Sequence, residues 1–423
     1  MSHPKDRYRA IDRRTFMRKA AATGIAAPGL AAFLAACGSE PTTSGSSPSA
    51  GLLQLARPDS PVTIPLTDDN PAIADGLKPE AGPLRIFGYS DYIWKKVLNK
   101  FADSVGGVDI EYTVFDTPDE MISKMQTNGS DFDLLVTVTL ENIGKLAQGG
   151  LIQPLNYSYL PNVNDNMEAG VPDFYDVGRQ YSVPYVIFTT GVAWRNDLIE
   201  DDIAAMDNPY DIYWDPTFEG QTHLLNGSRD LLAVGLLRKG HDPNESDAAI
   251  LDEVKQDMLA GAEAMGWKYD HVDYTELSAN QWKVHNTWSG QMAYYQYYLP
   301  KGLDIKALSY AWPPQGPGGQ KGLISHDLFA VPKGAASPVL AHGLIDFLYD
   351  ATNAIMNYSY EGYQPTVASF DEESAVKDGF LPESLTYVIV TPEMIPLGVT
   401  ELELEPAVNQ LYQQIYQEIT GGA

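Results

Sequence analysis

Apolar positions along the chain follow two alternating patterns, short runs of strand length and longer stretches with helical spacing. The strands predicted from this pattern are residues 84–87, 109–115, 132–138, 183–194, 222–226 and 326–332. The predicted helices are residues 91–105, 119–126, 143–146, 229–239, 247–258, 338–348 and 408–419. The predicted N-caps of the helices that begin at residues 91, 247 and 338 are Ser90, Ser246 and Ser337, the last followed by a proline at the first helical position. Because strands and helices alternate, the predicted fold class is α/β, and about 340 residues of body suit two lobes better than one core.

The first 36 residues have the features of an export leader and are set apart from the fold. Residues 12–18 match the twin-arginine pattern, and residues 20–36 are too short and too interrupted by Gly and Pro for a convincing transmembrane helix. Residues 34–38 resemble a bacterial lipobox, which makes Cys37 the predicted site of lipid attachment. A non-cleaved membrane anchor with an incidental cysteine is the alternative.

The rest of the chain is predicted to form a tether and two lobes. Residues 37–83 are rich in Ser, Thr, Pro and Gly, which indicates a flexible tether followed by an irregular arm. The first lobe is predicted to contain residues 84–190 and 326–370. The second lobe is predicted to contain residues 191–325 and 371–423.

The charge of the chain limits the partners it can bind, and its cysteine content limits how the body is stabilised. The chain has 28 Lys and Arg against 56 Asp and Glu, and 7 of the basic but only 2 of the acidic residues lie in the leader. Removal of the leader would therefore leave 21 against 54, a formal charge of −33. So acidic a protein is not expected to bind nucleic acid, and it suits cationic ligands. Cys37 is the only cysteine, so the body contains no disulfide and depends on its core for stability.

No sequence motif points to catalysis. The chain has no Gly-x-Ser-x-Gly elbow, no phosphate-binding glycine-rich loop, no His-Glu-x-x-His and no histidine pair with metal-ligand spacing. Acidic pairs such as Asp201 and Asp202 are expected by chance in a chain with this many acids. We therefore predict that the protein is not an enzyme and has neither a cofactor nor a bound metal.

Candidate binding chemistry lies in the turn between the first predicted strand and the helix that follows it. Tyr89, Ser90, Asp91 and Tyr92 place two phenol rings, a hydroxyl and a carboxylate within four residues. Aromatic faces and a carboxylate suit an organic cation, and ligands of α/β sheets bind at the carboxyl ends of strands. The alternative is an ordinary helix start, with Asp91 interacting favourably with the helix dipole and the tyrosines serving only in packing.

This turn resembles the corresponding turn in the periplasmic binding proteins of spermidine/putrescine ABC transporters. The resemblance runs with gaps from Leu84 to the C-terminus. Further matches occur in the expected order at Tyr181–Tyr185, Arg229-Asp230, Trp288-Ser289-Gly290, Asp327 before Ala330-Val331-Pro332, and Gly362-Tyr363-Gln364-Pro365.

The resemblance implies a type II-like periplasmic-binding-protein fold, with two lobes joined by crossing segments and a ligand cleft between them. It also implies that carboxylates and aromatic rings hold the ligand in this cleft. The ligand-binding residues implied are Tyr89, Ser90, Asp91, Tyr92, Asp230, Trp288, Asp327 and Tyr363. For Asp230 the alternative is a helix N-terminal acid, and for Trp288 it is a buried structural ring.

The partners implied are a polyamine or similar organic cation, an ABC permease, and the membrane through the lipid anchor. The protein is expected to be a monomer on the outer face of the cytoplasmic membrane. The alternatives are the same fold binding an amino-acid derivative or a sugar, or a surface sensor or scaffold without a transport role.

Three departures from the family bear on the ligand. Gly227 stands where the family has a second acid, and Ser325 where it has a stacking tryptophan. Residues 138–141 replace a Ser-Thr-Tyr turn and contain one residue more, so that Glu141 adds an acid in an uncertain register. The family membership is therefore a firmer expectation than the ligand.

Overall fold

The chain passes repeatedly between two units, so neither is built from one continuous stretch. The computed structural model describes residues 8–11, 54–270 and 282–421. The first unit contains the residues up to Val186 together with His326–Tyr360 and Pro365–Phe370. The second unit contains Ile187–Ser325, Glu361–Gln364 and Asp371–Ala423.

The first unit is organised by a mostly parallel sheet. Its strands are β1 (Tyr8–Ile11), β2 (Leu84–Gly88), β3 (Ile110–Val114), β4 (Leu134–Thr139), β5 (Ile152–Gln153), the start of β6 (Val183–Arg195) and most of β11 (Ile324–Pro332). The order β1-β3-β2-β4 is parallel, and β11 is antiparallel to both β4 and β5. The carboxyl ends of β2 and β4 therefore lie at the same edge as the start of β11.

Helices and an N-terminal arm cover this sheet. The helices are α1 (Lys95–Ser104), α2 (Pro118–Asn128), α3 (Leu140–Gln148), α4 (Pro161–Asn166), α8 (Pro338–Leu348) and α9 (Ala351–Glu361). Phe87 stacks on Phe132 with ring centroids 4.2 Å apart, at the centre of an apolar cluster. Val62 and Ile64 of the arm are buried in that cluster. The Glu80 carboxylate accepts hydrogen bonds from backbone N–H groups at the start of α8.

A β-bulge interrupts the pairing of β4 with β11. Phe329 is opposite Val136 and Leu328 is opposite Val138, which leaves Thr137 without a partner across the ladder. Thr137 is buried and has a φ of 75°, a left-handed conformation that a β-branched residue rarely adopts. Such a conformation costs roughly 1–3 kcal/mol and persists only where the surroundings impose it. The bulge therefore shifts the pairing of β4 with β11 by one residue just before β4 ends.

The second unit has a mixed sheet of its own. Its strands are the larger part of β6, β7 (Thr222–Leu225), β8 (Lys268–Asp270), β9 (Val284–Trp288) and β10 (Leu308–Ala311). β7 is parallel to β8 and β9, whereas β6 is antiparallel to β9 and β10. Its helices are α5 (Ser228–Arg238), α6 (Ala248–Met265), α7 (Ser289–Tyr294), α10 (Glu372–Lys377) and α11 (Pro406–Gly421), and β12 (Gln364–Pro365) spans a unit boundary.

Two predicted helix N-caps are wrong. Helix α1 begins at Lys95 with Trp94 as its N-cap, so Ser90 and Asp91 belong to the preceding loop and not to the first turn. Helix α6 is capped by the carboxylate of Asp247, which accepts from the N–H groups of Ala249 and Ile250, and not by Ser246. In both cases a polar residue near the start of the apolar pattern was taken for the cap.

The predicted leader is only partly described. Residues 8–11 form β1, whose Tyr8 is opposite Ile110 of β3. Cys37 and the predicted flexible tether lie outside the described residues. Within the described part of the chain, no helix is both long and apolar enough to span a membrane.

Candidate functional site

The predicted turn of the first unit lies where β2 ends. Tyr89 follows Gly88, and its ring contacts Phe115 and Tyr92 at centroid distances of 4.6 and 6.1 Å. A Cβ atom at Gly88 would lie 2.6 Å from the hydroxyl of Tyr112, so this position requires glycine. The Tyr112 hydroxyl donates to the carbonyl of Tyr89 over 2.8 Å and fixes the backbone of the turn.

Tyr92 and Asp327 meet at this edge of the sheet. The Tyr92 hydroxyl donates to Oδ2 of Asp327 over 2.6 Å, and both side chains are buried. Asp327 lies near the start of β11, directly opposite Thr139 at the end of β4. The structure thus brings together three of the predicted residues, Tyr89, Tyr92 and Asp327.

Ser90 and Asp91 lie on the exposed side of the same loop. Asp91 has a φ of 57°, and its Oδ1 accepts a hydrogen bond from the hydroxyl of Tyr360 over 3.3 Å. Ser90 donates to the other oxygen of Asp91 over 3.2 Å. These two predicted residues therefore belong to a separate hydrogen-bonded group, and Trp94 stacks on Tyr360 beside them with centroids 5.4 Å apart.

The sequence-based prediction missed a buried amide that holds the loop. Asn357 on α9 accepts from the backbone N–H of Trp94 over 2.8 Å and donates to the hydroxyl of Tyr185 over 2.8 Å. Tyr185 in turn donates to the carbonyl of Tyr92 over 2.5 Å. A signal existed in the sequence, because Asn353 and Asn357 are four residues apart and form a buried polar stripe on α9.

The residue next to Asp327 adds no positive charge to the site. His326 is buried, and burial, together with the charge of Arg179, lowers its pKa to about 3. The imidazole is therefore neutral at physiological pH. Successive side chains of a strand point to opposite faces, so His326 and Asp327 face different sides of the sheet.

In the second unit, aromatic side chains gather at the end of β9. The ring of Phe188 lies 6.4 Å from Trp288 and 5.6 Å from Tyr363, both nearly perpendicular. Trp288 is partly exposed and Tyr363 is buried. The structure therefore brings two predicted residues together through Phe188, which the sequence-based prediction did not include.

Glycines permit this aromatic cluster. A Cβ atom at Gly290 would lie 2.4 Å from ring atoms of Tyr363, and one at Gly362 would lie 2.5 Å from the carbonyl oxygen of Gly290. Gly362 also has a φ of 79°. The ring of Tyr363 thus rests on the backbone at Gly290, in space that any side chain there would fill.

Asp230 lies in the first turn of α5, after the carboxyl end of β7. Since β7 is parallel to β9, this is the same edge of the sheet as Trp288. A Cβ atom at Gly227 would lie 2.6 Å from Oδ2 of Asp230. The departure at Gly227 therefore leaves room for the Asp230 carboxylate.

These groups suit binding better than catalysis. Buried carboxylate, phenol hydroxyls and ring faces form charge-assisted hydrogen bonds and cation–π contacts with an organic cation. Among residues 8–11, 54–270 and 282–421, no cluster of three or more His, Cys, Asp or Glu has an arrangement that could hold a metal ion.

Comparison with known proteins gives consistent results. The sequence model described as "Bacterial extracellular solute-binding protein" matches residues 96–381. The chain is 25% identical over 351 residues to a putrescine/cadaverine-binding protein of Pseudomonas aeruginosa, with 79% of this chain and 94% of that protein covered. It is 22% identical over 340 residues to spermidine/putrescine-binding periplasmic protein 1 of Haemophilus influenzae, with 79% and 88% covered.

A solved structure is also similar. A putative spermidine/putrescine ABC transporter protein from Listeria monocytogenes superimposes with a TM-score of 0.69 at 23% sequence identity. The match covers 80% of this chain and 99% of that one. At this identity the likeness concerns the fold.

Proposed function

Since the chain belongs to the family of bacterial extracellular solute-binding proteins, we propose that it binds a polyamine or similar organic cation and delivers it to an ABC importer. Proteins of this family are transport components and not enzymes, so the prediction of a non-catalytic chain is confirmed. The predicted α/β fold of a two-lobe binding protein is also confirmed.

The observation that carries this proposal is the Tyr92–Asp327 pair. Only 3% of the Asp327 residue is exposed, and a buried charge is screened less than an exposed one. A ligand ammonium beside the Asp327 carboxylate would therefore form a strong charge-assisted contact, with the rings of Tyr89 and Tyr92 next to the ligand's methylene chain. A micromolar ligand needs about −8 kcal/mol, which a few charge-assisted contacts and aromatic contacts worth roughly 0.5–2 kcal/mol each can supply.

The names of the relatives and the charge of the chain support the same ligand class. The Pseudomonas relative is named for putrescine and cadaverine, and the Haemophilus relative for spermidine and putrescine. The acidic excess of 56 over 28 residues attracts cations. We assign Asp327, Tyr89 and Tyr92 of the first unit, and Trp288, Tyr363 and Asp230 of the second, to ligand binding, and we propose that the protein is a monomer.

A thermal-shift screen tests the ligand class. Diamines and triamines are expected to raise the Tm, because a ligand that binds only the folded state stabilises it by mass action. Amino-acid derivatives and sugars of similar size serve as the comparison set. A rise in Tm with neutral solutes alone would show that the ligand is not a cation. No rise in Tm with any solute would favour a sensor or scaffold.

We further propose that the protein acts outside the cytoplasm as a lipoprotein attached through Cys37, after removal of residues 1–36. Stable membrane attachment requires two or more acyl chains, which a modified N-terminal cysteine carries. Cys37→Ser is therefore expected to move the protein from the membrane fraction to the soluble extracytoplasmic fraction without changing its affinity for ligand. A variant that stays with the membranes after a high-salt wash would show that another segment anchors the chain.

A further inference from the structure

The register of β4 and β11 brings a second acid to the edge of the sheet where Asp327 lies. We propose that Glu141 is a further residue of this ligand site, and that it selects cations with N–H donors over quaternary ammonium ions. This inference rests on the proposed function, because it concerns the same ligand. It assigns a specificity role to a position where the sequence left the register open.

The bulge at Thr137 creates this arrangement. Phe329 is opposite Val136, and without the bulge Asp327 would be opposite Val138. With it, Asp327 is opposite Thr139. Directly opposite residues of antiparallel strands have side chains on the same face, with Cα atoms roughly 4.5–5.5 Å apart. The bulge therefore places a hydroxyl beside Asp327 where a valine would otherwise lie.

Glu141 is held next to that hydroxyl. Its Oε1 accepts from the hydroxyl of Thr139 over 2.5 Å and from the side-chain amide of Asn142 over 3.1 Å. Asn142 also donates to the Thr139 hydroxyl over 2.8 Å, so the three side chains form a closed group. Glu141 therefore contacts Thr139, the residue opposite Asp327, both directly and through Asn142. Only Oε1 of the Glu141 carboxylate takes part in these contacts.

The second oxygen of Glu141 is available. Among the described residues, Oε2 of Glu141 has no hydrogen-bond partner, and no Lys or Arg nitrogen lies within 4.0 Å of this carboxylate. Lys145, one turn further along α3, donates to Asn142 over 3.3 Å instead. The side chain is partly exposed, so a ligand can reach it.

Two acids at one edge favour a particular kind of cation. A primary ammonium has three N–H donors and gains from each oxygen that accepts one, and charge-assisted hydrogen bonds are about twice as strong as neutral ones. A quaternary ammonium has no donor and interacts chiefly with ring faces. Oε2 of Glu141 therefore adds a hydrogen bond for the first class and none for the second.

The experiment is a titration of wild type and Glu141→Gln with 1,4-diaminobutane and with its fully N-methylated bis-quaternary derivative. Glutamine keeps an oxygen that accepts from Thr139, so the start of α3 is preserved. The affinity for diaminobutane is expected to fall about 10- to 100-fold, and that for the bis-quaternary ion far less. Glu141→Asp, which keeps the charge, is expected to recover part of the affinity and covers the case in which the glutamine variant fails to fold.

Glu80→Gln is the control for charge alone. It also removes one negative charge from a helix start in the first unit, but at the end of the sheet where β2 begins. Both Glu80 oxygens accept backbone N–H groups, so this variant is expected to lose stability as well, and its affinities are measured well below its Tm. It measures the contribution of long-range charge and should leave both affinities within about twofold.

Other outcomes separate the two proposals. Equal losses for both ligands, or no loss in Glu141→Gln, would overturn the role of Glu141 while the proposed function stands. A wild-type protein that binds neither cation would overturn the proposed function and this inference together.

Discussion

Asp327→Asn is expected to lower the affinity for an organic cation by about a hundredfold to a few thousandfold. The substitution keeps the shape of the side chain and an oxygen that accepts from Tyr92, but it leaves a desolvated ligand cation without its counter-ion. Breaking one side of a buried ion pair costs roughly 3–5 kcal/mol. The ligand-free variant should still fold and keep most of its stability, since asparagine preserves the shape of the side chain and the acceptor for the Tyr92 hydroxyl. Calorimetric titration and thermal unfolding of the same samples measure both quantities.

Asp133→Asn provides the contrast. Asp133 is fully buried, and its two oxygens accept from the backbone N–H groups of Arg85 and Ser337 over 2.9 and 2.8 Å. An asparagine has one acceptor oxygen, so one N–H group loses its partner at a cost of roughly 1–3 kcal/mol. This variant should lose stability and keep its affinity. If Asp327→Asn behaves like Asp133→Asn, Asp327 is a structural residue and the assignment of the site is wrong.

Gly290→Ala is expected to weaken both the fold of the second unit and the binding of ligand. The new methyl group would lie 2.4 Å from the ring of Tyr363, so the ring must move away. Overpacking of this kind costs roughly 1–3 kcal/mol of stability. Displacement of Tyr363, and through Phe188 of Trp288, should reduce affinity about tenfold, since aromatic contacts with a cation are worth roughly 0.5–2 kcal/mol each. Thermal unfolding, titration and tryptophan fluorescence follow the three effects.

Gly343→Ala is the matched substitution in the first unit. Gly343 also lies within a helix, and a Cβ atom there would meet Phe101 at 3.6 Å, an ordinary van der Waals distance. Alanine favours a helix by roughly 0.5–1 kcal/mol over glycine, so this variant should gain stability. Opposite signs for the two Gly→Ala variants are expected. A stabilised Gly290→Ala variant with normal affinity would show that Tyr363 has no part in the site.

The elements that the sequence predicted well are those with a long apolar period or a clear cap. Ser337 followed by Pro338 marked the start of α8 correctly, and the run from Val183 to Trp194 is the strand β6. The start of α1 was misplaced because Ser90 is a good N-cap residue in isolation. In the structure Asp91 has a φ of 57°, which does not fit a right-handed helix, and the N–H of Trp94 is bonded to Asn357, which is distant in sequence.

The sequence suggested which residue types the candidate site contains, but not their register. The family resemblance implied Asp327, and the phenols of the first turn pointed to Tyr92. Their hydrogen bond joins residues far apart in the chain, and spacing along the sequence carries no information on such contacts. The bulge at Thr137 could not be predicted either, because threonine gives no local signal for a left-handed backbone conformation. It nevertheless decides which side chain stands opposite Asp327.

The chain path of β11 also affects the order in which the protein is made. β11 is the neighbour of β4 in the sheet of the first unit, but it follows residues 187–325 of the second unit in the sequence. During synthesis, the apolar edge of β4 that pairs with β11 therefore stays unpaired until the ribosome has passed residue 332. Such unpaired strand edges are prone to aggregation. Asp327 lies on β11, so the candidate site of the first unit can form only after residues 187–325 of the second unit have been made.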